Sequence, residues 1–96
     1  MHDLTKFQRD ILYVCAGVDD PYGLGIKEEL DHYYETEITP SRLYMGLDEL
    51  VEKGLIDVAV IDHRTKNYTL TADGREKLAR RQEWKEQYLD AGDSDD

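Results

Sequence analysis

The amino-acid pattern of this 96-residue chain predicts an α+β fold that is mostly α. Three stretches carry that reading: a capped amphipathic helix opening at Thr39-Pro40, a hairpin between Ile56 and Thr71, and another helix start at Thr71-Ala72-Asp73-Gly74. They follow one another from Ile38 to Gly74 without a spare residue, behind two further helical stretches. That order is the layout of a winged helix-turn-helix: three helices and a two-stranded wing, here with a C-terminal helix added.

Leu4, Phe7, Ile11, Leu12, Val14, Cys15 and Val18 cover most of one side of a first helix, with Thr5 or Asp3 available as its cap. Asp19-Asp20-Pro21-Tyr22-Gly23 is a turn cluster, because proline pre-sets one dihedral and glycine permits a positive one. A second helix is expected from about Leu24 to Tyr34 with Ile26, Leu30 and Tyr33 inward, and Ile38 closes the turn that follows. The third helix starts where Thr39 can accept from orphan N–H groups and Pro40 loses no needed donor. Leu43, Leu47, Leu50 and Val51 form its apolar stripe, and Lys53-Gly54 ends it with a cation and a glycine able to take the left-handed cap.

Ile56 to Ile61 and Asn67 to Thr71 read as short strands around a tip, Asp62 to Lys66, that carries His63, Arg64 and Lys66. In the last helix Leu78, Trp84, Tyr88 and Leu89 fall on one arc, which also holds Arg81 and Lys85. So small a chain cannot readily cover that strip, and a homodimer seam is its natural use, with Trp84 as anchor and the basic stems packed beneath solvated heads. The domain boundaries read accordingly: a winged helix-turn-helix over residues 1–74, a dimerisation helix over 75–89, and an acidic tail over 90–96. The tail holds no basic residue and is expected to be disordered.

Composition narrows the function. A chain this size buries only about 60 to 65% of its unfolded surface, so it holds one small core. It has no apolar run long enough for a bilayer and no signal-peptide pattern, and is expected in the cytoplasm without a membrane partner. The lone cysteine, Cys15, sits in an apolar helical pattern and reads as an inert core residue. Three scattered histidines and no glycine-rich phosphate loop leave neither an enzyme nor a metal site to propose, and no cofactor is expected.

Twelve basic residues against 22 acidic ones give a net charge of −10, the wrong sign for phosphate neutralisation. Its distribution is uneven. Between Asp19 and Asp62 only Lys27, Arg42 and Lys53 are basic, whereas Arg64, Lys66, Arg75, Lys77, Arg80, Arg81 and Lys85 concentrate in the wing and last helix. Aspartate exceeds glutamate by 13 to 9, a bias that suggests a proteome adapted to high intracellular salt. Bulk salt there would already screen phosphates over about 3 Å at 1 M, so acidic surfaces would repel DNA less.

The outward face of the third helix carries Ser41, Arg42, Met45, Asp48, Glu49 and Glu52, with Tyr44 at its border. Residues near a recognition helix's N-terminus reach base edges first, which selects Thr39, Ser41, Arg42 and Met45 as DNA contacts. Arg42 is the strong bidentate donor for guanine, worth about 1 to 3 kcal/mol of discrimination. Its bland alternative is a surface ion pair with Asp48 or Glu49. His63, Arg64 and Lys66 would meet a minor groove or flanking phosphates.

Pro21-Tyr22-Gly23 leading into Ile26-Lys27-Glu28-Glu29-Leu30, then Ser41-Arg42-Leu43-Tyr44-Met45-Gly46-Leu47, the exit Glu52-Lys53-Gly54-Leu55-Ile56, and the signature Tyr68-Thr69-Leu70-Thr71-Ala72-Asp73-Gly74 together resemble the PadR family of transcriptional regulators over roughly residues 5 to 89. The resemblance implies a homodimer joined by the C-terminal helix, bound to double-stranded DNA at a pseudo-palindromic operator and usually repressing. It also implies a phosphate near the Tyr44 hydroxyl. Some short members bind planar aromatic ligands between their C-terminal helices; Trp84 occupies the matching place, although a seam tryptophan usually just packs. The acidity of helix three and the absence of a separate C-terminal domain depart from the pattern. The alternative function is an acidic winged-helix module that presents Asp48, Glu49 and Glu52 to a basic protein and never binds DNA.

Overall fold

Threonine starts three of the four helices. The computed structural model describes residues 4–18 and 21–93, with side chains up to residue 89, and orders them as α1 (Lys6–Gly17), α2 (Gly23–Tyr34), α3 (Pro40–Glu52), β1 (Ile56–Asp62), β2 (Thr65–Leu70) and α4 (Ala72–Asp93). Thr5 accepts from the Gln8 N–H at 3.1 Å while the Gln8 carboxamide accepts from the Thr5 N–H at 3.1 Å, a reciprocal capping box. Thr39 caps α3 through the Arg42 N–H at 3.3 Å, with Pro40 at the first helical position. Thr71 accepts from the Gly74 N–H at 3.0 Å and donates to the Gly54 carbonyl at 2.7 Å, which ties the start of α4 to the exit of α3. Gly54 takes the left-handed conformation there at φ 78°.

The core forms where these helices cross. Ile11, Leu12, Ile26, Leu30, Leu43, Leu47 and Leu50 are fully buried, and each such side chain stabilises the fold by about 1.5 to 3 kcal/mol relative to exposure. Gly46 lets α1 and α3 approach closely, since a Cβ at that position would stand 2.8 Å from Ile11 Cδ1. Cys15 is buried among these residues as a free thiol, and burial pushes its pKa up to about 12, so it is a packing residue. Of α2's expected inner face, Ile26 and Leu30 are buried but Tyr33 is exposed. Tyr34 takes its place one position later, half-buried, with its hydroxyl donating to the Asp10 carboxylate.

β1 and β2 pair antiparallel, Ile56 opposite Leu70 and Val58 opposite Tyr68, with a bulge between Val60 and Asp62. The turn is tighter than the sequence suggests. Asp62 Oδ1 accepts from the N–H groups of Arg64 at 2.8 Å and Thr65 at 2.9 Å, leaving only His63 and Arg64 at the tip, while Lys66 lies in β2 opposite Val60. The turn cluster before α2 adds a third short edge: Tyr22 bridges Asn67, and the Tyr68 N–H donates to the Pro21 carbonyl at 2.9 Å. Asp19 and Asp20 of that cluster, and Asp3 as an alternative cap, lie outside the described residues.

The last helix corrects two expectations. Leu78 is core, 7% exposed, so it does not belong to an outward strip. Lys85 also turns inward, its Nζ 5.5 Å from the centroid of Tyr13 on α1. Trp84, Tyr88 and Leu89 remain exposed, with the Trp84 and Tyr88 rings edge to face at 5.1 Å and the Arg81 guanidinium 5.8 Å from Trp84. The helical backbone continues to Asp93, beyond the boundary expected at residue 89; 94–96 lie outside the described residues. Among the described residues no helix is long and apolar enough to cross a membrane.

Candidate nucleic-acid interface

The turn between α2 and α3 fixes how α3 is presented. Glu35 takes the left-handed conformation at φ 56°, and Asp31 then reaches across the turn, accepting from the Ile38 N–H at 2.6 Å and from Lys27 Nζ at 2.8 Å. Lys27, followed by the Ile38 N–H, holds the Asp31 carboxyl below the usual carboxylate range. Ile38 is driven into the core beside this clamp. The result projects the N-terminal half of α3 outward on a short, hydrogen-bonded turn.

On α3 the leucine stripe faces inward and three exposed sets of residues remain. Ser41, Met45 and Glu52 lie on the outermost ridge, all exposed. Arg42 and Glu49 lie on the α1 flank: the Arg42 guanidinium stacks 4.1 Å from the Phe7 centroid, and Glu49 accepts from the Gln8 carboxamide. Tyr44 and Asp48 lie on the opposite flank, where both line a groove shared with α2 and the wing. The alternative for Arg42, an ion pair with Asp48 or Glu49, is not formed among the described residues; the guanidinium rests on an aromatic face instead.

The groove encloses about 830 Å³ between the start of α2, the flank of α3 and the wing. His63, Arg64 and Lys66 supply cations on the wing side, and Glu28, Asp48 and Asp62 supply carboxylates. Alternation along β2 places Lys66, Tyr68 and Leu70 on one face, so Lys66 points toward the groove while Leu70 enters the core. The Tyr44 hydroxyl lies against the start of α2, where a Cβ at Gly23 would stand 2.5 Å from it. Thus Thr39, Ser41, Arg42, Tyr44 and Met45 gather at one end of α3, and Tyr44 among them lines the groove with His63, Arg64 and Lys66. Helical periodicity and strand patterning do not single out Phe7, Tyr22 or Tyr68 for this region; the packing does. Among the described residues no cluster of histidine, cysteine or carboxylate side chains could hold a metal ion.

A recognition helix projected on a short turn beside a β-hairpin with cations at its tip defines a winged helix-turn-helix domain, the fold of DNA-binding transcription regulators. The chain belongs to the PadR-like family of transcriptional regulators, whose family model matches residues 11–80. Among solved structures, hsRosR-S1, determined as a complex, is 43% identical with a TM-score of 0.86 over 90% of this chain and 76% of its own. RosR of h. salinarum, from crystals grown from NaBr, is 44% identical with a TM-score of 0.85 over 88% and 76% of the two chains. BpsR of Bordetella bronchiseptica, whose DNA binding is regulated by 6-hydroxynicotinic acid, is 20% identical with a TM-score of 0.70 over 93% of this chain and 60% of that one, a likeness of fold. No curated protein matches the chain.

Proposed function

We propose that the chain acts in the cytoplasm as a homodimeric, sequence-specific repressor on a pseudo-palindromic operator. In this reading the N-terminal half of α3 enters the major groove, where Ser41, Arg42 and Met45 meet base edges, while Arg64 at the wing tip meets a flanking minor groove or phosphates. The observation that carries the reading is that His63, Arg64 and Lys66 of the wing line one groove with Tyr44 of α3, the helix whose N-terminal half also exposes Ser41, Arg42 and Met45. The exposed Trp84, Tyr88 and Leu89 supply the dimer seam, reduced from the strip expected of the sequence by Leu78 and Lys85, which pack on their own chain. An aspartate-rich surface and 43% identity to a regulator from a halophile support action at high salt.

The rival reading is an acidic face offered to a basic protein. It is less well supported, because Asp48 lines the groove and Glu49 accepts from the Gln8 carboxamide on α1. Footprinting on the DNA upstream of the chain's own coding region tests the proposal. The expected result is a protected segment with two-fold symmetry and half-sites about one helical turn apart; no protection at any salt concentration overturns it.

A further inference from the structure

Tyr68 is 3% exposed, yet its hydroxyl donates no hydrogen bond within the described chain and receives none. A buried phenol left unpaired is expensive unless something outside the protein meets it. The hydroxyl is not sealed in: among the described residues only the Tyr13 hydroxyl is both occluded and unpaired, and Tyr68 lines the groove between α2, α3 and the wing. Tyr44 and Asp48 flank it, and burial together with these neighbours raises its pKa, so the group remains a proton donor.

The first turn of α2 opens onto the same groove. Its N-cap, Tyr22, makes no side-chain capping bond, and the Ile26 N–H donates to the Tyr22 carbonyl at 2.9 Å. The N–H groups of Gly23, Leu24 and Gly25 precede that bond, at the positive end of a helix dipole. Packing does not explain glycine at position 25, because a Cβ there would meet nothing within 4 Å. Gly25 weakens this first turn by about 1 kcal/mol relative to alanine but lets a bulky oxyanion approach the backbone there. Lys66 on the facing strand adds a cation.

We infer that this groove is a clamp for one phosphodiester of the DNA backbone, held by the Tyr68 hydroxyl from below, the α2 first-turn N–H groups from one side and Lys66 from the other. The inference deepens the DNA-binding reading and rests on it. Glu28, Asp48 and Asp62 also line the groove, so general attraction cannot hold an anion there and aimed donors must. Asp62 is already engaged by the wing-turn N–H groups. The clamp would set the register of α3 in the major groove without reading a base.

Tyr68→Phe tests it, because the substitution keeps the buried ring and deletes only the unpaired hydroxyl. The variant is expected to unfold at the same or a higher denaturant concentration than wild type, while its affinity for a duplex carrying the chain's own upstream region falls about tenfold or more. Methylphosphonate substitution along that duplex should reveal one phosphate per half-site whose neutralisation weakens wild type but leaves Tyr68→Phe nearly unchanged. Wild-type affinity in Tyr68→Phe, or equal sensitivity of both proteins at every phosphate, overturns the clamp and leaves the DNA-binding reading intact. Absence of DNA binding by wild type overturns both. Saturable uptake of inorganic phosphate by the DNA-free chain, lost in Tyr68→Phe, would make the groove a receptor for a free ligand and overturn the assignment to DNA.

Discussion

The guanidinium of Arg42 lies 4.1 Å from the centroid of the Phe7 ring, so a side chain of α1 supports the arginine on α3. A guanidinium held against an aromatic face loses less entropy when it binds a guanine.

Arg42→Ala is expected to reduce discrimination between operator and scrambled DNA by about tenfold, with a smaller loss of non-specific affinity. Arg42→Lys keeps the charge but neither the fork nor the flat contact, and should behave like alanine in discrimination. Competition titrations of the two variants decide the matter: full preference retained by the lysine variant would mean that Arg42 acts as a charge alone.

Arg64→Ala should weaken binding to all sequences alike and lower the slope of log affinity against log salt by about 1 per protomer. Arg64 stands at the tip of a two-residue turn with an exposed side chain, where it can meet phosphates but does not share the α3 ridge. A change in base preference as large as that of Arg42→Ala would refute this division of labour.

Gly74→Ala tests a backbone contact. A Cβ at Gly74 would stand 2.3 Å from the Leu55 carbonyl oxygen, which belongs to the chain leaving α3 and cannot swing aside as a side chain can. The expected loss is about 1 to 3 kcal/mol of stability by urea unfolding. An unchanged unfolding midpoint would show that the junction of α3, the wing and α4 yields.

Much of this fold is legible in the chain because its signals are local. Thr5, Thr39 and Thr71 each cap a helix within three residues of the N–H groups they serve, and Gly54 marks its stop. What is not legible depends on partners distant in sequence. Periodicity cannot choose between Tyr33 and Tyr34 until Asp10, 24 residues earlier, receives the hydroxyl. The stacking of Arg42 on Phe7, the Tyr22 bridge to Asn67 and the inward turn of Lys85 onto Tyr13 likewise join residues from separate elements. At the candidate site, residue types on α3 and the wing are readable from sequence, whereas the open hydroxyl of Tyr68 emerges only when α2, α3 and β2 are assembled.

Asp31 gives a pH prediction. Its folded-state pKa is lowered by Lys27 and by the Ile38 N–H, so its contribution to stability is fully present above the unfolded carboxylate value of about 3.9 and is lost as pH falls through the folded value. Asp31→Asn should therefore unfold at lower urea than wild type near pH 7, with the two curves converging below about pH 4. Parallel curves across that range would show that the α2–α3 turn does not depend on the ionised carboxylate.

Trp84→Ala probes the seam. An exposed tryptophan edge to face with Tyr88 is placed to anchor a second copy, and its truncation should lower dimer affinity by more than about 2 kcal/mol. Sedimentation at micromolar concentration unchanged from wild type would exclude this surface as the seam.

The central claim is that an acidic chain reads DNA through α3 and its wing, and a fluorescence-anisotropy titration tests it most directly. Wild-type protein is titrated into its own upstream duplex and into scrambled DNA from about 0.1 M to above 2 M potassium chloride, a range over which the Debye length falls from about 10 Å to below 3 Å. Preference for the upstream duplex that persists or strengthens at high salt is the predicted result. Equal binding to both duplexes, or none, at every salt concentration in protein shown to be folded would contradict it.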